Sequence, residues 1–123
     1  MRFCWSTLAV KDMDESLKFY QEIVGLKLTG RFGAGPGKEI AFLGDGDTKI
    51  ELLHDKENKE ICTGKDISWG FEVENVDEFY AMLKEKGVKI LSEPESPAPN
   101  TRFFFASDPN GMKLQFVQTS GSH

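Results

Sequence analysis

Residues 8–20 read Leu8-Ala9-Val10-Lys11-Asp12-Met13-Asp14-Glu15-Ser16-Leu17-Lys18-Phe19-Tyr20, and the pattern changes period halfway along. The residues up to Val10 continue a strand-like run that begins at Phe3. From Met13 onward the apolar side chains Met13, Leu17, Tyr20 and then Val24 recur three or four apart, the spacing that turns one stripe of a helix inward. Asp12 with Glu15 three residues later can satisfy the free amides of a first helical turn, and Gly25 offers a left-handed stop. A strand followed by such a helix calls for a sheet on which the helix can pack.

The same grammar returns further along the chain. Asn75-Val76-Asp77-Glu78 opens a second helix, with Asn75 lying 63 residues after Asp12. Val76, Phe79, Tyr80 and Leu83 form its stripe, and Gly87 closes it. Strands are expected at 3–10, 26–32, 39–43 and 48–53 in the first half, and at 67–73, 88–91, 101–106 and 112–117 in the second. Gly33-Ala34-Gly35-Pro36-Gly37, Gly44-Asp45-Gly46-Asp47 and Asp108-Pro109-Asn110-Gly111 supply reversals, the last through Pro and through the tolerance of Asn-Gly for positive torsions. Each half therefore reads β-α-β-β-β: module 1 over about 3–54, module 2 over about 66–118, joined by the charged linker Asp55-Lys56-Glu57-Asn58-Lys59-Glu60.

A length of 123 residues suits one domain, not two independently stable ones. The 15 basic and 20 acidic residues, net charge −5, are interspersed, which argues against a nucleic-acid partner. The apolar runs are too short for a membrane span, and the N-terminal stretch has no signal-peptide core, so the expectation is a soluble, cytoplasmic protein. Cys4 and Cys62 are expected as free thiols, since their spacing matches no zinc ribbon or redox pair. Thr119-Ser120-Gly121-Ser122-His123 reads as a frayed tail or an expression remnant, and His123 is given no role.

Strand alternation separates two faces. Leu8 and Val10, Ile50 and Leu52, Phe71 and Val73, and Leu114 and Phe116 share the parity that suits the helix-covered side. The opposite parity carries Trp5, Thr7 and Ala9; Lys49, Glu51 and Leu53; Ser68, Gly70 and Glu72; and Lys113, Gln115 and Val117. Such a mixture suits a concave binding surface better than a second core or a solvent face. Trp5 maps onto Ser68 with an offset of 63, and Glu51 onto Gln115 with an offset of 64, so four positions are expected to face one centre. The Phe103-Phe104-Phe105 run is assigned mostly to core, with one parity able to line a cleft. Arg31 and Arg102 could meet an anionic ligand if they face inward. The 33–37 and 92–100 loops are candidate rims or lids.

The paired βαβββ modules, residues 8–20, Val24-Gly25-Leu26 and Asp108-Pro109-Asn110-Gly111-Met112-Lys113-Leu114-Gln115 together resemble the glyoxalase, bleomycin-resistance and extradiol-dioxygenase superfamily, the vicinal-oxygen-chelate proteins. The resemblance covers about residues 3–118. It implies an α+β fold in which two tandem βαβββ modules form a curved, partly open eight-stranded sheet around one cleft, with helices on the outer face. In metal-dependent members the metal ligands are His or Glu on the first and last strands of each module, positions that fall here on Trp5, Glu51, Ser68 and Gln115. Only Glu51 is a good metal ligand. An indole offers no suitable lone pair, Ser and neutral Gln are weak donors, and a catalytic zinc site normally takes three protein ligands. His54 lies three residues from Glu51 and so has the opposite parity on a strand; it reads as an exposed strand-end residue.

The resemblance and these residues imply a metal-free small-molecule binder of the resistance or sequestering kind, holding an aromatic or cationic ligand. Trp5 would serve as a stacking platform or fill the vacated metal cavity, and Thr7, Glu51, Ser68 and Gln115 would orient the ligand. No cofactor is expected, a divalent metal being the disfavoured alternative. An enzyme is the second reading: a lyase, isomerase or dioxygenase in which Glu51 holds a metal or acts as general base. The third is a non-catalytic association module. A homodimer is implied by the resemblance alone.

Overall fold

The computed structural model, described over residues 1–119, divides between Thr63 and Gly64 into two units. The terminal residues 120–123, His123 among them, lie outside the described part.

In the first unit, strand β1 (Trp5–Ala9) leads to helix α1 (Met13–Lys18), then to β2 (Leu28–Gly33), β3 (Lys38–Leu43) and β4 (Lys49–Asp55). The sheet order is β1-β4-β3-β2, with β1 parallel to β4 and the other pairs antiparallel. The helix starts where the sequence places it: the Glu15 backbone N–H donates to the Asp12 carboxylate at 2.9 Å. The expected regular helix to Val24 does not form. It gives way after Lys18 to a wider π-helical turn over Phe19–Ile23, in which the Val24 N–H donates to the Phe19 carbonyl. That turn accompanies the burial of two consecutive aromatic side chains, Phe19 and Tyr20, packed edge to face with centroids 5.2 Å apart.

The second unit repeats the plan. Strand β5 (Ser68–Glu72) and helix α2 (Val76–Glu85) precede β6 (Lys89–Ile90), β7 (Glu95–Ala98), β8 (Thr101–Ser107) and β9 (Lys113–Thr119). The sheet order β5-β9-β8-β6, again with its first pair parallel, matches the first unit strand for strand. Here the Glu78 N–H donates to the Asn75 side-chain oxygen at 3.0 Å, the counterpart of the Asp12 cap. Strand β7 is the addition that brings the described strands to nine instead of eight. It pairs with β8 through an irregular register, so the middle of the 92–100 segment, residues 95–98, is a sheet edge. Pro94, Pro97 and Pro99 made that segment read as loop, but proline is tolerated on an edge. The 33–37 segment is no free rim: the Ala34 N–H donates to the Lys38 carbonyl and the Lys38 N–H to the Gly35 carbonyl across a tight reversal, and the Lys56 N–H donates to the Gly37 carbonyl.

The helix-covered faces hold the cores. Leu8, Val10, Leu43, Leu52 and Tyr20 are buried in the first unit, as are Val76, Leu83, Phe104, Leu114 and Phe116 in the second. The last reversal is built by Asp108. Its buried carboxylate accepts from the Asn110 N–H at 2.8 Å, the Met112 N–H at 2.7 Å and the Asn110 side-chain amide at 3.2 Å. Gly111 alone in this turn takes a positive φ, +91°; Asn110 serves through its side chain and not through an unusual torsion.

Candidate ligand-binding site

The face of the first sheet away from α1 is open. Parallel pairing sets Trp5 opposite Lys49 and Thr7 opposite Glu51, and antiparallel pairing sets Phe42 opposite Glu51 on the other side. The Thr7 hydroxyl donates to Glu51 Oε1 at 2.6 Å, which fixes the carboxylate across the two strands. Trp5 is 50% exposed and meets Phe42 edge-on, centroids 5.4 Å apart; Phe32, 49% exposed, lies 6.1 Å beyond Phe42. Trp5 is thus not a buried plug. Three aromatic side chains, one carboxylate and one hydroxyl share a single accessible surface.

The corresponding face of the second sheet is built differently. Ser68 stands opposite Lys113, and Gly70 opposite Gln115, whose Oε1 would lie 3.6 Å from a β-carbon at Gly70. Glycine therefore stands where the first unit has Thr7. Phe105 lies opposite Gln115 and Phe103 opposite Val117, the two rings 5.7 Å apart. Only Phe104 of the triplet is buried, which corrects the assignment of the run mostly to core. The Lys113 ammonium sits 5.4 Å from the Phe105 ring centroid. Farther along, Thr119 donates to Glu72 at 2.9 Å.

Neither arginine faces these surfaces. Arg31, opposite buried Ala41, reaches Asp14 at 2.9 Å and Glu39 at 2.7 Å, and those two carboxylates raise its guanidinium pKa. Arg102 holds Asp77 at 2.9 Å, lowering that carboxyl below its ordinary value. Both clamp a helix entry and leave no free fork for an anion. His54 stays within β4, opposite Glu39 and on the parity away from Glu51; it is half-buried, not exposed. Cys4 and Cys62 are free thiols.

Sequence reasoning named Trp5, Thr7, Glu51, Ser68 and Gln115 as ligand-binding residues and put Lys113 on the same mixed face, but it did not name Phe32 or Phe42, which lie beside Trp5. The signal was present in β3, where Ala41 and Leu43 are fully buried and their neighbour Phe42 must face the other way. Two concavities lie elsewhere, one of about 370 Å³ beside Val10, Lys11 and His54 and another of about 540 Å³ beside Val73, Asn75 and Phe79. Of Trp5, Glu51, Ser68 and Gln115, only Glu51 is a good metal ligand. Among the described residues no group of three or more His, Cys, Asp or Glu is placed to hold one, and the single carboxylate at the four positions already accepts a hydroxyl. No helix among those residues is long and apolar enough to cross a membrane.

Known proteins share this architecture. The sequence pattern of the Glyoxalase/Bleomycin resistance protein/Dioxygenase superfamily matches residues 2–116. A lactoylglutathione lyase of Neisseria meningitidis serogroup B is 31% identical over 127 residues, covering 96% of this chain and 91% of that protein. The trypanothione-dependent glyoxalase I of Leishmania major superposes with a TM-score of 0.83 at 26% identity, covering 96% of this chain and 86% of that one. A glyoxalase family protein from Bacillus cereus, at 21% identity and a TM-score of 0.84 over 98% and 95% of the two chains, shares the fold.

Proposed function

Because the chain belongs to the Glyoxalase/Bleomycin resistance protein/Dioxygenase superfamily, we propose that it is a small-molecule-binding protein of the resistance or sequestering kind. It takes a planar aromatic ligand on the open face of the first unit and does not use the metal of its metal-dependent relatives. The observation that carries this reading is the half-exposed Trp5, braced edge-on by Phe42 beside Phe32. Covering roughly 100 Å² of such apolar surface contributes about 2.5 kcal/mol before any polar contact. An aromatic ligand is preferred over a simple cation because Glu51 already accepts the Thr7 hydroxyl and shares its face with Lys49. A cytoplasmic location and a homodimer, the latter implied by the family likeness, complete the reading.

The test is a thermal-shift screen of aromatic ligands on chelator-treated protein ending at Gln118. Saturable stabilisation that Trp5→Ala abolishes is the expected result. If no ligand stabilises the protein, or if Trp5→Ala binds as well as the parent, the reading fails. A lyase is the second reading, favoured by the names of the Neisseria relatives. Lactoylglutathione turnover that requires added zinc or nickel and disappears in Glu51→Gln would replace the binder with the enzyme. Neither stabilisation nor turnover would leave the association module.

A further inference from the structure

We propose that Lys113, with Ser68 and Gln115, forms an oxyanion-recognition site on the open face of the second unit, one that takes a carboxylate or a similar anionic oxygen group. The site is built within the second unit alone and stands independently of the aromatic face of the first. Lys49 and Lys113 open the last strands of their sheets, followed two residues on by Glu51 and Gln115 respectively. In the first unit the lysine therefore shares its face with a carboxylate; in the second the equivalent side chain is a neutral amide. The nearby acid Glu72 is engaged by Thr119. The ion pairs formed among the described residues involve Arg31 and Arg102, with no carboxylate within 4 Å of the Lys113 ammonium. A half-buried cation thus faces outward without an acidic partner, in a chain whose net charge is −5.

Its surroundings prepare it for an anion. The Phe105 ring holds the ammonium 5.4 Å from its centroid and limits the lysine's wandering, which reduces the entropy lost on binding. Ser68, opposite Lys113, brings a hydroxyl donor, and Gln115, two residues along the same strand and leaning over Gly70, brings an amide donor. An anionic oxygen on this surface would receive one charge-assisted bond and up to two neutral ones, with an aromatic edge alongside. A cationic ligand would meet the lysine's repulsion there.

The experiment titrates the full chain with 2-naphthoate, neutral 2-naphthamide and cationic 2-naphthylmethylammonium, following tryptophan fluorescence and backbone amide shifts. Naphthoate is expected to bind at least tenfold more tightly than naphthamide, the ammonium probe most weakly, with the largest shifts at Ser68, Lys113 and Gln115. Lys113→Gln should erase the naphthoate advantage, with an unchanged melting temperature as the control that the variant is folded; Lys113→Arg should preserve the advantage. If naphthoate and naphthamide bind equally, or the advantage survives Lys113→Gln, the oxyanion site is overturned. If none of the three probes binds, it falls as well.

Discussion

Glu51 and Gln115 occupy one place in the repeat but carry different charge, and the residues opposite them differ to match. Thr7 supplies Glu51 with a hydroxyl at 2.6 Å, whereas Gly70 gives Gln115 none. Thr7→Val should therefore cost under about 1.5 kcal/mol in stability, because Glu51 can recruit water, while weakening any ligand oriented by a fixed carboxylate; urea midpoints and ligand titration separate the two effects. Asp108 is the opposite case, a buried carboxylate serving three donors. Asp108→Ala is expected to lower stability by about 3 kcal/mol or more, and Asp108→Asn by less, since one acceptor oxygen is retained. Strand parity placed Thr7 and Glu51 on a common face, and alternation within β3 turns Phe42 the same way, but which residues stand opposite one another depends on the register between strands, which no short-range pattern encodes.

The two helices begin alike because their caps and clamps are equivalent. Asp12 and Asn75 each accept from the third residue onward, and Asp14 and Asp77 are each held by an arginine from a neighbouring strand. Replacing either cap with alanine is expected to cost about 1 kcal/mol, measurable in denaturant unfolding. Arg102 holds the Asp77 carboxyl below its ordinary value of 3.8. A depressed folded-state value means that the pair's stabilisation is fully present above 3.8 and lost as pH falls through the lower folded value. The difference in melting temperature between the parent and Asp77→Asn should therefore shrink as pH drops below about 3.8, and should also shrink with added salt because both groups are exposed. Helix starts were legible because capping chemistry is local. The π-helical turn and strand β7 were not, for opposite reasons: the turn depends on where Phe19 and Tyr20 find room, and β7 is a proline-bearing edge held by its neighbour β8.

The repeat became legible through the spacing of its caps, and the structure gives both sheets the same strand order. Between them, residues 56–60 and 64–68 are exposed. Limited trypsin digestion should therefore cut first at Lys59 or Lys65, with mass spectrometry identifying two fragments near 60 residues each; initial cleavage inside β4 or β9 would contradict that reading. In each sheet the strand made first pairs in parallel with the strand made last, Trp5 with Lys49 and Ser68 with Lys113. A ribosome thus releases β1 long before its ladder partner β4 exists, so β1 must wait through the synthesis of a helix and two hairpin strands before it can dock. The first half can nevertheless close its ladder before the second half has been translated. Slow codons placed after the linker would lengthen that interval and favour orderly completion, whereas haste there would leave two first strands competing for two last ones that occupy the same place in their sheets.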